Sequence, residues 1–372
     1  MTMQRLAKRH ILVTRFPFES QWGGEEVHTM ELMKALDKKG HEIAFLGSCP
    51  VLLKAFSDGN YPTKKAWLGR PPVSKLWLAL FTALSPLLFV MAGWQVWRAK
   101  KKMNIDVIYM LSFGEKLLMT PWARFFKMKV LWLEHARIGR WLTKNPWRVI
   151  YRRWSRWAKV VVTSNAMVKY VEKLGVKVMA ISCAVMAPKA APLPATITAF
   201  LDSGFSVANV SRLTVDKGVD MMVRLVHSKP DMRLLILGDG PLHERVQKAA
   251  ESKQVMWVKS LPRTQLMSLY KSVDLFVLAS KQMDPFGMVA AEAMWHGAPT
   301  IVTDQCGISE DLENGRDAIV VPAKFSLLDK AVKKLMKHSN QRNELGRRGQ
   351  DFAKKNYMLS AMVSSFEQLL QK

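Results

Sequence analysis

Short apolar runs alternate along this chain with longer stretches whose apolar residues recur at helical spacing. "HILVTRFPF" (10–18) reads as a buried first strand, followed by a loop with Gly23-Gly24. "EEVHTMELMKALDKKG" then places Val27, Met30, Met33 and Leu36 on one helical face and stops at Gly40. "HEIAFLG" (41–47), "DVIYML" (106–111), "KVLWLEH" (129–135) and "VVVTS" (160–164) read as further strands, separated by helical stretches. "AVMAPKAAPLPATI" (184–197) has no periodicity and is the expected linker. The alternation then restarts with "FSVANVS" (205–211), "RLLILG" (233–238), "QVMWVKS" (254–260), "DLFVLAS" (274–280) and "PTIVTD" (299–304), and ends in a helix near "MLSAMVSSFEQLLQK". Strands that alternate with helices imply parallel sheets covered on both faces. The expected fold class is therefore α/β, with two doubly wound Rossmann-like domains facing a cleft at the carboxyl ends of their strands.

Length agrees with that division, since 372 residues exceed what one core usually serves. The expected domains are 1–190 and 191–355, with a terminal helical stretch over 356–372 that could pack back on the first. Three well-separated cysteines (Cys49, Cys183, Cys306) form no CxxC pair, which argues against a zinc site or a disulfide framework and fits a reducing compartment. No signal peptide is expected, because the apolar run near the N-terminus is short and lacks a small-residue cleavage site.

Charge changes the picture more. The net charge is +26, but residues 1–190 carry 32 Lys and Arg against 11 Asp and Glu, while 191–372 carry 24 against 19. Ten of the 13 tryptophans lie between Trp67 and Trp157. Basic charge mixed with Trp suits an anionic membrane surface, with nucleic acid second. The uncharged stretch Leu76–Trp97 is long enough to cross a bilayer but is interrupted at Ser85-Pro86. Buried helices, a membrane-surface helix and a span all remain open for it. In "NPWRVIYRRWSRWAK" (145–159), Trp147, Ile150, Tyr151, Trp154 and Ala158 share one helical face and Arg148, Arg152 and Arg156 another. That face could be merely solvated or could dock on anionic lipid.

The candidate chemistry sits in "DPFGMVAAEAM" (284–294). Asp284 before Pro285 reads as a helix N-cap with Pro at the first helical position, leaving the amides of Phe286, Gly287 and Met288 to face an anion. Glu292 lies eight residues on, a rise of roughly 12 Å, too far for a glycosidase-type carboxylate pair. The two carboxylates could instead bond hydroxyls at opposite ends of a long ligand such as a nucleotide sugar; a capped surface helix with an incidental Glu is the alternative. "NVSRLTVDKGVD" (209–220) puts Arg212 just past a strand and Lys217 five residues on, a reasonable diphosphate clamp or a solvated pair. "LGDGP" (237–241) lacks the third Gly of a dinucleotide fingerprint.

Taken in order, "GGEEVHTMELMKALDKKGHEIAFL", "NVSRLTVDKGVD" and "DPFGMVAAEAMWHGAPTIVTDQCGISEDLENGRDAIVVP" resemble the Gly-Gly loop, the donor-phosphate segment and the E-x7-E block of glycosyltransferase family 4, the retaining enzymes of the GT-B fold. The resemblance covers nearly the whole chain, and glycolipid-synthesising members such as phosphatidylinositol mannosyltransferases are the most similar in their basic, aromatic N-terminal half. It implies transfer of a sugar from a UDP- or GDP-sugar substrate, with no further cofactor and no metal site. Asp284 would bind the donor sugar's hydroxyls and Glu292 the ribose hydroxyls. Arg212 and Lys217 would hold the diphosphate, the amides of Phe286-Gly287-Met288 and Gly23-Gly24 would add donors, and His135 would meet the sugar. The leaving diphosphate would help deprotonate the acceptor on the same face. Asp284 stands where the family has its first Glu, Lys259 where it often has Gly, and Cys306 where it has the first Gly of the pair before Glu310.

The partners this implies are the nucleotide sugar, a lipid or lipid-linked glycan acceptor and an anionic membrane, with the protein cytoplasmic and held at the inner face. No nucleic acid is expected, since no recognition motif accompanies the charge. A nucleotide-sugar epimerase of the same fold, a transferase to a soluble or polysaccharide acceptor, and a basic nucleic-acid-binding protein are the other readings.

Overall fold

The computed structural model describes residues 7–17, 22–135 and 140–371. The chain divides into two compact units: one runs to Ser182 and takes in the chain from Ser360, and the other is Cys183–Leu359.

The first unit is a seven-stranded sheet built from β1 (His10–Arg15), β2 (Glu42–Gly47), β3 (Thr63–Lys65), β4 (Val107–Met110), β5 (Lys129–Glu134), β6 (Lys159–Val162) and β7 (Met179–Ala180). The order is β3-β2-β1-β4-β5-β6-β7, and every pairing is parallel. The expected strands are all present. Of the two edge strands that the pattern missed, "TKK" is polar and "MA" is only two residues long, so neither shows an apolar run. Chain order reverses between β1 and β4, so the loops after those strands diverge and leave a crevice at their carboxyl ends.

Helix Gly24–Lys38 covers the sheet with Met30, Leu32, Met33 and Leu36 and ends before Gly40, whose φ of 92° only glycine adopts freely. The terminal helix Leu359–Gln371 packs in this unit. Its buried Glu367 pairs with Lys39, and Lys129 Nζ donates to the last carbonyls, Leu370 at 2.7 Å and Gln371 at 2.9 Å.

The apolar stretch 76–97 is one helix, Lys75–Met103, capped by the Ser74 hydroxyl and ended by Asn104 in the left-handed region. Pro86 sits inside it without breaking it. One face, with Phe81, Leu88, Ala92 and Val96, is buried. Trp122 fixes the contact on that side: its Nε1 donates to Phe89 O at 2.8 Å, and a Cβ on Gly93 would lie 2.5 Å from its ring.

The second unit is a six-stranded parallel sheet of β8 (Phe205–Val210), β9 (Met232–Leu237), β10 (Val255–Val258), β11 (Leu275–Leu278), β12 (Thr300–Thr303) and β13 (Ile319–Val321), in the order β10-β9-β8-β11-β12-β13. The reversal falls between β8 and β11, both of which lie in the core. The stretch expected as a linker is strapped onto this unit: Val185 N donates to Tyr357 O at 2.9 Å and Ala191 N to Thr264 O at 3.0 Å, and Ile197 enters the core.

One buried acid in the first unit reports on folding. Glu115 Oε1 accepts from Leu111 N, Ser112 N and Thr14 Oγ1, while Oε2 is buried without a partner. Burial pushes its carboxyl up to about 7, against the pull of those donors and of Lys116. A folded-state pKa above the unfolded value of 4.5 means the native state holds the proton longer. The group's stabilisation is therefore complete below pH 4.5 and lost as pH rises to about 7. Glu115→Gln keeps the accepting oxygen and removes the titration. Urea unfolding should show the variant gaining on the parent as pH rises through this window.

Candidate functional site

In the second unit the residues singled out by sequence collect where the sheet reverses. The loop after β8 carries Arg212, then a turn of 3-10 helix, Val215–Lys217, and Gly218 in the left-handed region. The loop after β11 carries Ser280, Lys281 and Asp284. These loops touch: a Cβ on Gly218 would lie 2.0 Å from Ala279 O, and Lys281 N donates to Asp216 O at 2.7 Å. Lys281 also pairs with Asp220.

The central contact is between the two expected ligand groups themselves. Lys217 Nζ donates to Asp284 Oδ2 at 2.6 Å, with both side chains 13% exposed. Their roles on diphosphate and sugar hydroxyls remain compatible, because an ammonium has three donors and a carboxylate several acceptor positions. Ser280 Oγ lies 3.5 Å from the same carboxylate oxygen. Arg212 is exposed and its guanidinium makes no ion pair with any described residue, so it is available to an anion.

The helix expected to start at Pro285 begins at Met288 and runs to Trp295, so Asp284 is not its cap. Gly287 takes that place at φ 96° and ψ 49°. The reason is tertiary. Residues 284–286 pair in strand fashion with the loop after β12: Asp284 N donates to Gln305 O and Gly307 N to Asp284 O, both at 2.8 Å, and Ile308 N donates to Phe286 O at 2.6 Å. That pairing extends the backbone through Pro285 and fixes Asp284 against Lys217. None of the amides of Phe286, Gly287 and Met288 takes part in these backbone bonds. The Phe286 side chain is buried.

Glu292 is buried, and both of its oxygens have protein partners: Arg263 Nη2 donates to Oε1 at 2.8 Å and Tyr270 OH to Oε2 at 3.3 Å. Burial raises its carboxyl pKa, and Arg263 and Tyr270 oppose that rise. Arg263 and Tyr270 come from helix Arg263–Ser272, distant in sequence, and no motif marked them. The Gly-rich turn after β9 buttresses the Arg212 loop. A Cβ on Gly238 would lie 1.9 Å from Ser211 O, and Leu213 N donates to Asp239 O at 2.9 Å. Lys259 pairs with Asp239 on the surface at 3.1 Å. Cys306 is buried beneath Asp284, where burial first and the Asp284 charge second push its thiol up to about 11.

In the first unit, Gly23 and Gly24 stand at the start of helix Gly24–Lys38, with Gly23 in extended backbone. The first turn carries Glu25 and Glu26, which Arg15 Nη1 meets at 3.2 Å and 2.5 Å. Two acids there oppose an anion at these amides, although burial pushes the Glu25 carboxyl up to about 7, with Arg15 pulling against it. His135 follows β5, and its Nε2 is buried without a hydrogen-bond partner among the described residues. It meets His28 edge-on at 4.9 Å between ring centroids. Burial first, then the neighbouring His28, Arg15 and Lys116, hold the His135 pKa well below the ordinary histidine value, so the ring is neutral. His28 is 2% exposed and neither of its ring nitrogens has a hydrogen-bond partner among the described residues. It sits on a helix face that reads as plain core in the sequence, so nothing flagged it.

Two doubly wound parallel sheets of this kind, one with basic and acidic groups converging at its switch point, define the GT-B class. The Anabaena HepE protein, solved with UDP, superposes over 97% of this chain and 99% of its own with a TM-score of 0.78 at 15% identity. The family model described as Glycosyltransferase Family 4 matches residues 22–185, and that for Glycosyl transferases group 1 matches 199–352. The chain belongs to glycosyltransferase family 4. Mannosylfructose-phosphate synthase of Agrobacterium fabrum is 31% identical over 39% of this chain. The GDP-mannose-dependent alpha-(1-6)-phosphatidylinositol monomannoside mannosyltransferase of Mycolicibacterium smegmatis is 26% identical over 44%. The matched stretches span only 36% and 47% of those two relatives.

The Arg263–Glu292 pair is testable by itself. Arg263→Met leaves a buried carboxylate without its countercharge and should cost roughly 2–3 kcal/mol in chemical denaturation. Adding Glu292→Gln should recover most of that loss; an additive double variant would mean that the two groups do not interact.

Proposed function

We propose that this chain is a retaining glycosyltransferase that moves a sugar from a UDP- or GDP-sugar to a membrane lipid or lipid-linked glycan, working at the inner face of the membrane. The observation that carries the reading is the convergence of Arg212, Lys217 and Asp284 at the switch point of the second sheet, with Lys217 2.6 Å from Asp284. A diphosphate leaving group gains negative charge as the glycosidic bond breaks. An exposed guanidinium and a preorganised ammonium beside it stabilise that charge most in the transition state. Asp284 orients Lys217 and keeps acceptor capacity for sugar hydroxyls. Glu292, with Arg263 and Tyr270 each donating to one of its oxygens, keeps acceptor positions for the ribose hydroxyls. Neutral His135, with an unpartnered Nε2, suits a hydroxyl better than a phosphate.

The donor class is supported by one relative whose name carries GDP-mannose and by a neighbour solved with UDP. The lipid acceptor is supported by the basic, Trp-rich first half and by the phosphatidylinositol monomannoside of one relative's name. Arg148, Arg152 and Arg156 are exposed, as a surface meeting anionic headgroups requires.

Arg212→Ala and Lys217→Ala should each lower kcat by about 10²–10³-fold while nucleotide affinity, read by calorimetry, changes far less. Equal losses in affinity with kcat preserved would overturn the clamp. A screen of nucleotide sugars that reads released nucleotide and product anomer tests the reaction, and an epimerised nucleotide sugar without transfer would overturn it.

A further inference from the structure

Helix Lys75–Met103 has two apolar faces, and only one of them is packed. Leu80, Leu84, Leu87, Val90, Trp94 and Trp97 recur every three or four residues, and at 100° per residue they fall within about 140° of arc. All six are exposed, Val90 by 64%, Leu87 by 58% and Trp94 by 50%, and Leu76 extends the stripe toward the N-terminus at 65%. From Leu76 to Trp97 this makes a bare apolar ridge about 32 Å long on the helix. Such a ridge is far more than the scattered surface leucines of a soluble protein.

We propose that this ridge is an in-plane anchor that lies at the surface of an acidic bilayer; the inference rests on the lipid-acceptor reading and names the surface that delivers it. Charge picks the occupant. Residues 59–105 contain no Asp or Glu and eight Lys and Arg. Cations sit over the tryptophans along the helix, Arg70 4.4 Å from the Trp77 ring, Lys64 and Arg98 5.1 Å and 5.2 Å from Trp94, and Lys101 5.2 Å from Trp97. Indole at headgroup depth with basic side chains reaching into the polar layer is the arrangement an anionic interface favours. A second copy would bring an equally basic surface against this one, and the charges would repel. A span is excluded by topology: β3 before the helix and β4 after it belong to one sheet, so both ends of the helix stay on one side. Beside the ridge, a hollow of about 250 Å³ lined by Trp67, Arg70, Trp77, Leu80, Leu84 and Leu88 offers depth for an apolar group.

The experiment compares the full chain with a Leu80→Glu, Leu87→Glu, Val90→Glu variant on phosphatidylcholine vesicles with and without phosphatidylglycerol. Calorimetric nucleotide binding is the folding control. The parent should pellet with the acidic vesicles alone, and the variant should partition at least about ten-fold more weakly with nucleotide binding unchanged. Trp fluorescence of the parent should be quenched by brominated acyl chains, and that quenching should be lost in the variant. Equal pelleting of parent and variant, or no pelleting of either, would overturn the anchor. So would a lipid-free dimer that the variant dissociates, since the ridge would then be a subunit interface. Vesicle binding as expected, with transfer only to water-soluble acceptors, would leave the anchor standing and overturn the lipid-acceptor reading instead.

Discussion

The donor-side chemistry of the second unit depends on two loops held in register at the sheet's switch point. Gly218 makes this possible, because any side chain there would collide with Ala279 O, 2.0 Å from where its Cβ would lie. With the loops in contact, the Lys217 ammonium reaches Asp284 at 2.6 Å and each charge is satisfied in a largely desolvated place. Leaving either one alone there would be costly, so the pair is structural as well as chemical. The loop after β12 completes the arrangement by pairing with residues 284–286, and the Gly-rich turn after β9 braces Arg212. The connections after four neighbouring strands, β9, β8, β11 and β12, thus serve one small patch, the advantage a doubly wound sheet offers.

The first unit handles its strand ends differently. Glu25 and Glu26 meet Arg15, Lys116 meets Glu134 at 2.6 Å, and Tyr151 donates to the same Glu134 oxygen at 2.6 Å. These interior charges are paired with one another, whereas the unit as a whole is strongly basic. His28 and His135 are two neutral rings that meet edge-on, each with a ring nitrogen that finds no hydrogen-bond partner among the described residues. Unsatisfied polar atoms of this kind are expensive in a core and are found where a ligand completes them.

Charge and apolar surface belong together in this half. The same unit that buries Glu26, Glu115, Glu134 and Glu367 presents basic residues and bare tryptophans outside, many of them on and beside helix Lys75–Met103. A solvated surface gains nothing from exposed leucines between lysines. An interface with an anionic headgroup layer and an apolar layer beneath it is stabilised by both.

The alternation of apolar runs with helical spacing determined the element order, both parallel sheets and the terminal helix, because a buried parallel strand must be apolar on both faces. It also marked Arg212, Lys217 and Asp284, since strand ends followed by glycine are local features. Thr63–Lys65 escaped notice because pairing with a neighbour, not its own composition, makes it a strand, and Ile319–Val321 because its apolar run is only three residues long. Only tertiary structure decided the rest. Asp284-Pro285 looks like a helix start in isolation, yet pairing with 305–308 holds it extended and moves the start to Met288. Arg263 and Tyr270 meet Glu292, and His28 meets His135, across sequence gaps that no periodicity spans. For the stretch 76–97 the sequence favoured buried helices over a surface helix and argued against a span. Packing on one face alone, with both ends tied into one sheet, rules out a fully buried helix and a span.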